Sequence, residues 1–229
     1  FSGVIDDGRC VFVTANLGEF KIVDEQLKAY LCCNIWNDAS GAIKLFDSGV
    51  RQVCWNTVTY AESLAGTSLY RIIHDRNALG RVSSWMADFA RRIYGRKQTI
   101  EEACTLLANT QAMGDSVEKI LFSAYPNPVE PQQNAPDDVM QGRMDRYKVS
   151  RQTAGDRRVT AFELFEGAGT GMKTRAAFGS LWGVYNAVVE LEDYRRGGSD
   201  KVAATSAFMG SRAETKKRAF ETAIEVARA

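Results

Sequence analysis

The stretch Gly179-Ser-Leu-Trp-Gly-Val-Tyr-Asn-Ala-Val-Val-Glu-Leu-Glu-Asp-Tyr194 constrains this chain more than any other. Wound at 3.6 residues per turn, it places Phe178, Leu181, Trp182, Tyr185, Val188 and Val189 on one broad apolar face. Gly179, Gly183, Asn186, Glu190 and Asp193 fall on another. Each glycine costs a helix about 1 kcal/mol relative to alanine, so a helix that keeps two of them has to regain that through packing. Their lack of a side chain also lets a second backbone come close. The expectation is a buried helix about which the rest is arranged, with a polar strip at one end.

A chain of 229 residues can bury a sizeable core as one large domain, or as a domain with a helical appendage. Its apolar fraction of 45% and charged fraction of 25% are those of an ordinary globule. The formal net charge of +1 gives no global polyanion signal. Local balance differs: residues 1–70 hold 5 Lys/Arg against 8 Asp/Glu, and residues 139–175 hold 8 against 4. Any nucleic-acid surface would therefore be a patch. The five cysteines, Cys10, Cys32, Cys33, Cys54 and Cys104, are odd in number and contain no CxxC pair. That argues against zinc and for buried thiols in a reducing cytosol. No apolar run approaches the roughly 20 residues that span a bilayer, so no membrane is expected, and no signal peptide is visible. The chain opens on Phe1 with no initiator methionine, which points to sequence upstream.

Taken in order, residues 9–54 read as β structure. Val11–Val13 and Phe20–Val23 flank a turn at Asn16–Gly18, and Ala29–Ile35 and Ala42–Phe46 form a hairpin around 37–41. Val50–Cys54 follows as a strand entered through Ser48-Gly49. Short links between sequential strands favour an antiparallel meander with one covered face. Trp55–Leu64 reads as a helix and Ser68–His74 as a further strand. Helices are expected at Ala78–Tyr94 behind an Asn77 cap, at Thr99–Asn109 and at Val117–Phe122. All four prolines, Pro126, Pro128, Pro131 and Pro136, sit in a loop at 124–136. A basic stretch, the turn Gly167-Ala-Gly-Thr-Gly171, the organising helix, a break at Gly197–Asp200 and helices at Val202–Met209 and Arg212–Ala229 complete the chain. In that last helix Lys216, Lys217 and Arg218 are expected on the solvent side. The reading is an α+β fold: an antiparallel β-meander covered by helices, with a helical C-terminal half. Its parts are a sheet with following helices (1–123), the proline-rich loop (124–136), and a basic segment with C-terminal helices on the same core (137–229).

Several of these segments resemble one family. Val53-Cys54-Trp55-Asn56-Thr57 after a β meander is similar to its valine–cysteine–x–asparagine–threonine signature. Ile73-His74 resembles its arginine–histidine motif, with Ile73 in the arginine place. Trp182-Gly183-Val184-Tyr185-Asn186-Ala187-Val188, with Glu190 and Asp193, resembles its C-terminal signature, and Ser206–Ser211 its closing motif. The family is the phage/plasmid-like group carrying a domain of unknown function, widespread in bacteriophages and mobile elements. The likeness runs from about Gly8 to the end, and the family's usual N-terminal portion is not seen here. One departure matters: the family's acidic–histidine pair reads Asp193-Tyr194 here, which removes a metal ligand. The resemblance implies a genomic setting and a fold more than a reaction. A β meander backed by helices is also similar in architecture to the Rad52-like single-strand annealing proteins of phages.

Five constellations bear on chemistry. Asn186, Glu190 and Asp193 recur at helical spacing, and two carboxylates with an amide suit a hard cation such as Mg²⁺. The plainer role is structural, with Asn186 on neighbouring backbone and the acids paired to Arg195, Arg196 or other bases. Gly167–Thr174 invites a phosphate-loop reading but misses the GxxxxGK[ST] frame, which favours a plain loop. His74, the only histidine, has no nucleophile elbow to join and reads as structural. Finally Arg143, Arg146, Lys148, Arg151, Arg157 and Arg158, with Tyr147 and Phe162 nearby, combine charge with stackable rings, the pairing single-strand binders use. Arg91, Arg92, Arg96 and Lys97 form a second basic cluster, placed just past a helix end, where the dipole favours cations.

The expected function is binding of nucleic acid: single-stranded DNA in phage or plasmid recombination or replication. The protein would act in the host cytoplasm as a homo-oligomer, with no covalent chemistry and no cofactor. Two rivals remain: a self-assembling structural protein of a mobile element, and a metal-dependent nuclease that would use Glu190 and Asp193.

Overall fold

The computed structural model describes residues 2–5, 8–38, 42–51, 57–58, 70–73, 75–134, 136–197 and 210–229. Its N-terminal part is an antiparallel sheet built by β1 (Ser2–Ile5), β2 (Cys10–Ile22), β3 (Glu25–Trp36), β4 (Ile43–Arg51), β5 (Thr57–Val58) and β6 (Tyr70–Ile72). The order is β1-β2-β3-β4, with β5 and β6 both pairing on the outer side of β4. Four of the five links are to the next strand in sequence, so the meander and the α+β class are as the sequence implies.

The strands are longer than their patterns. Asn16–Gly18 is no turn: β2 runs straight through it, with the register against β3 shifting between Asn16 and Gly18. Gly18 N–H donates to the Asn16 side chain at 2.7 Å, and Gly18 takes a φ of 100°. One unpaired residue in a strand is a bulge, which bends the strand without reversing it. The chain reverses two residues past Lys21, at Val23-Asp24, where Ile22 pairs directly with Glu25. Val23 sits there at a φ of 55°, a conformation β-branched residues rarely adopt, while its side chain packs on the core. Ser48-Gly49 likewise lies inside β4. Thr57–Val58 is a strand, which corrects the helix expected from Trp55; the rest of that segment, like His74 and 202–209, lies outside the described residues.

Five α-helices follow among the described residues: α1 (Ala78–Asn109), α2 (Gly114–Ala124), α3 (Asp137–Glu163), α4 (Leu181–Glu190) and α5 (Ser211–Arg228). α1 is one continuous helix where two were expected, because Gly95–Lys97 is carried through without a break. Its start is held by Asp75, which accepts from Asn77 N–H at 2.9 Å and pairs with Arg81 at 2.6 Å; the Asn77 side chain makes no cap. The proline-bearing loop runs between α2 and α3, as read. α3 and α4 each end in a π-helical turn, at Leu164–Ala168 and Leu191–Arg195.

α4 is the centre. Every residue from Leu181 to Glu190 is buried, and the helix packs against α1, α2, α3 and α5. The core joins it to Leu107 on α1, Ile120 and Leu121 on α2, Phe220 on α5, and Phe20, Ile22 and Leu27 at the tip of the β2–β3 hairpin. Trp182, Tyr185 and Phe220 run as a ladder of rings with centroids 5.7 and 5.1 Å apart. Fully burying a side chain of this kind is worth about 1.5–3 kcal/mol, so this ladder anchors the fold. The glycine argument holds at Gly183, where the Ala177 carbonyl lies against the helix and Phe165 closes the other side. Gly179 lies outside the helix, at a φ of 61°, and Ser180 caps α4 by accepting from Gly183 N–H at 3.1 Å. Phe178, expected on the buried face, therefore precedes the helix and is 77% exposed.

Candidate nucleic-acid interface

α3 carries every residue of the first basic cluster. It opens with Asp137 and Asp138 in its first turn, where the helix dipole favours acids, and is braced by Gln141–Asp145 and Gln152–Asp156 side-chain bonds at 2.9 and 2.7 Å. It closes where Gly167 leaves helical geometry with a φ of 125°. Only Ala154 and Ala161 on it are buried, so its C-terminal half leans on the body and its N-terminal half stands in solvent.

At roughly 100° per residue, Arg143, Arg146, Tyr147, Arg151, Arg157 and Arg158 fall within an arc of about 140°. Lys148 lies somewhat outside it. Asp138, Asp145, Asp156 and Glu163 gather on the opposite side. The helix thus separates its charges by face. Not all the bases are equally placed. Arg158 stacks over the Phe122 ring at 4.1 Å and donates to the Tyr125 carbonyl at 2.5 Å and the Asn127 side chain at 3.0 Å. It ties the end of α2 to α3. Arg143 donates to Asn134 at 2.8 Å. Arg146, Lys148 and Arg151 are exposed, and Arg157 and Tyr147 half-buried. Phe162 lies at the far end of α3, in the groove facing α2.

The second basic cluster is placed otherwise than expected: Arg91, Arg92, Arg96 and Lys97 lie within α1, with no helix end beside them.

Glu190 and Asp193 are each engaged in a different place. Glu190, buried, accepts from Thr170 N–H at 2.8 Å and from Arg195 at 3.3 Å. Asp193 pairs with Lys216 at 2.9 Å. Lys216 is fully buried, which corrects its expected place on the solvent side. Beside them Glu192, also fully buried, pairs with Arg196 at 2.7 Å, and buried Arg212 donates to the Glu192, Arg196 and Gly197 carbonyls. Burial and the adjacent Glu192 charge push the Tyr125 phenol well above its ordinary pKa. Among the described residues no group of three or more His, Cys, Asp or Glu side chains converges to hold a metal ion.

The glycine-rich loop is equally committed. Gly169 N–H donates to the Leu164 carbonyl at 2.9 Å and Thr170 N–H to Glu190. Arg175 and Ala176 N–H both donate to Asp24 at 2.9 Å. Thr174 and Trp182 donate to buried Glu25, the indole at 3.0 Å. Amides that would cradle a phosphate are thus turned onto two of the chain's own carboxylates, Glu190 and Asp24. A Cβ at Gly169 would lie 2.7 Å from the Leu164 carbonyl and 3.2 Å from Glu190, so the loop has no room for a side chain there.

Reading charge by sequence position missed Lys216, Arg212 and Glu192, because a charged side chain reads as solvated unless its partner is known. It also missed the apolar groove between α2 and α3, whose residues belong to two separate elements. No helix among the described residues is long and apolar enough to cross a membrane.

No curated protein and no solved structure matches the chain. One family model does, over residues 1–224, and its description is a domain of unknown function, DUF932. With nearly its whole length matched, the chain belongs to the DUF932 family.

Proposed function

We propose that this protein binds single-stranded nucleic acid along the basic side of α3. The supporting observation is the sorting of charge on that helix: Arg146, Arg151 and Arg157 share one face with the Tyr147 ring, the acids gather opposite, and the N-terminal half stands clear of the body. Cations spaced along a rod follow a phosphate backbone, and a ring among them accepts a base. Capture is electrostatic with stacking, and involves no covalent step and no cofactor. The setting that suits it is recombination or replication of a phage or plasmid in the host cytoplasm.

The test is fluorescence anisotropy with a labelled oligodeoxynucleotide across a salt series. Two to four phosphate contacts by Arg146, Arg157, Arg151 and Lys148 predict a log–log salt slope of about −1.5 to −3, at about −0.7 per contact. Arg146→Ala should shallow that slope by about 0.7. Absence of binding at low salt, where phosphate contacts are strongest, sinks the proposal.

A further inference from the structure

We propose that Phe178 is a stacking platform for an unpaired base, with Lys173 and Arg175 beside it taking the neighbouring phosphates of a single strand. The ligand class rests on the nucleic-acid reading, whereas the residues lie outside α3.

A phenylalanine on a protein surface is ordinary by itself. What sets Phe178 apart is how firmly its backbone is held. Residues 174–178 close one helical turn, in which Phe178 N–H donates to the Thr174 carbonyl at 2.9 Å. Ala176 and Ala177 in that turn are fully buried. Asp24 accepts from the Arg175 and Ala176 N–H groups, and the Ser180 hydroxyl donates to the Ala176 and Ala177 carbonyls. Directly after the ring, Gly179 turns the chain at a φ of 61°. The chain is therefore fixed on both sides of Phe178, whose side chain stands 77% exposed. A ring held this way loses little freedom when a flat partner covers it.

The surroundings select that partner. Gln111 and Ser180 form an antiparallel bridge, in which Ala112 N–H donates to the Gly179 carbonyl at 2.9 Å. One step further along each segment stand Met113 and Phe178, so a 63% exposed thioether adjoins the ring and widens the apolar spot. Arg175 lies three residues before Phe178 in the 174–178 turn, which sets both on one side of it. Lys173 comes just ahead of the turn. Both cations are exposed, and neither pairs with an acid among the described residues. Asp24, near Arg175, already spends both oxygens on backbone N–H groups. Lysine is sparse in protein–protein contacts, and two cations about one ring suit a polyanion better. Phosphates on the cations and a base on the ring are the two halves of single-strand capture.

Fluorescence anisotropy tests this with the full chain, a labelled oligothymidylate and an abasic strand of the same length. Phe178→Ala should weaken binding of the thymidine strand about fivefold or more, and leave the abasic strand and the salt slope unchanged. Phe178→Trp should keep the affinity, whereas Phe178→Leu, apolar but without a flat face, should lose it. Lys173→Ala and Arg175→Ala should each shallow the salt slope by about 0.7. A Phe178→Ala variant that binds as the wild type does, or that loses equally on both strands, overturns the proposal. If Arg146→Ala still shallows the slope in that case, the α3 reading stands without it. A wild type that binds neither strand at low salt overturns both.

Discussion

Replacing Gly183 by alanine puts the close approach at the heart of the fold to a direct test. A Cβ at this position would overlap the carbonyl oxygen of Ala177, sit 3.1 Å from the Ala177 carbonyl carbon and 3.3 Å from the Phe165 ring. The first of these is backbone and cannot rotate away. The loop before α4 would have to retreat, and with it the Ser180 hydroxyl, which donates to the Ala176 and Ala177 carbonyls at 2.5 and 3.2 Å and caps α4. Overpacking of this kind costs about 1–3 kcal/mol, and losing the cap costs about 0.5–2 kcal/mol more. Helix propensity returns about 1 kcal/mol. The net expectation is a loss of about 0.5–4 kcal/mol, or a Tm lower by roughly 1–16 °C at this chain length. Gly142 is the matched control: it is helical and exposed, with nothing within 4 Å of an added Cβ. There the same substitution should stabilise by about 0.5–1 kcal/mol, raising Tm by roughly 1–4 °C. Urea titration and thermal melts of both variants decide the matter. A Gly183→Ala protein as stable as the wild type, beside a normal Gly142→Ala, would refute the packing described for α4.

Three further outcomes follow from individual polar groups. Lys216→Met should cost about 3–5 kcal/mol in urea unfolding, because it leaves Asp193 buried without its cation, and Asp193→Leu/Lys216→Met should recover most of that loss. A single-variant cost under 1 kcal/mol would place the pair in the surface class. Asp24 has its carboxyl pKa lowered: burial acts to raise it, but the Arg175 and Ala176 N–H bonds and the Arg175 charge outweigh that. A depressed folded pKa gives stability that is present above the unfolded value near 4 and lost as pH falls through the folded one. Asp24→Asn should therefore melt below the wild type at neutral pH, with the gap closing under acid; a constant gap in Tm from neutrality to low pH would contradict this. Cys104, fully buried and with its thiol pushed up by burial and the nearby Glu101 and Glu25 charges, should resist alkylation until the protein is unfolded.

The parts of the fold legible in sequence are those fixed by near neighbours. The α4 stripe from Leu181 to Val189 is periodic enough to declare both helix and burial, and the turn-forming residue types at 37–41 signal the antiparallel pairing of β3 with β4. What could not be read depended on distant residues. Asn16–Gly18 has turn chemistry, yet a bulge uses the same residue types, and only the pairing with β3 distinguishes the two. Gly95 offered a helix break that α1 ignores. In the candidate site the bases of α3 were visible as a cluster, but their sharing of one face was not, since no helix had been assigned there. Arg158 shows the limit most clearly: its sequence neighbours are cations, whereas its contacts are Phe122, Tyr125 and Asn127, which come to it through the fold.

The tip of the β2–β3 hairpin bears on how this chain tolerates change. Reversals of this kind are ordinarily where insertions do least harm. Here Asp24 and Glu25 reach across some 150 residues of sequence to hold the strap that leads into α4. One residue added at that bend would pull both acids out of register and release the helical half from the sheet, so a tag or graft belongs at the 37–38 end of the meander instead.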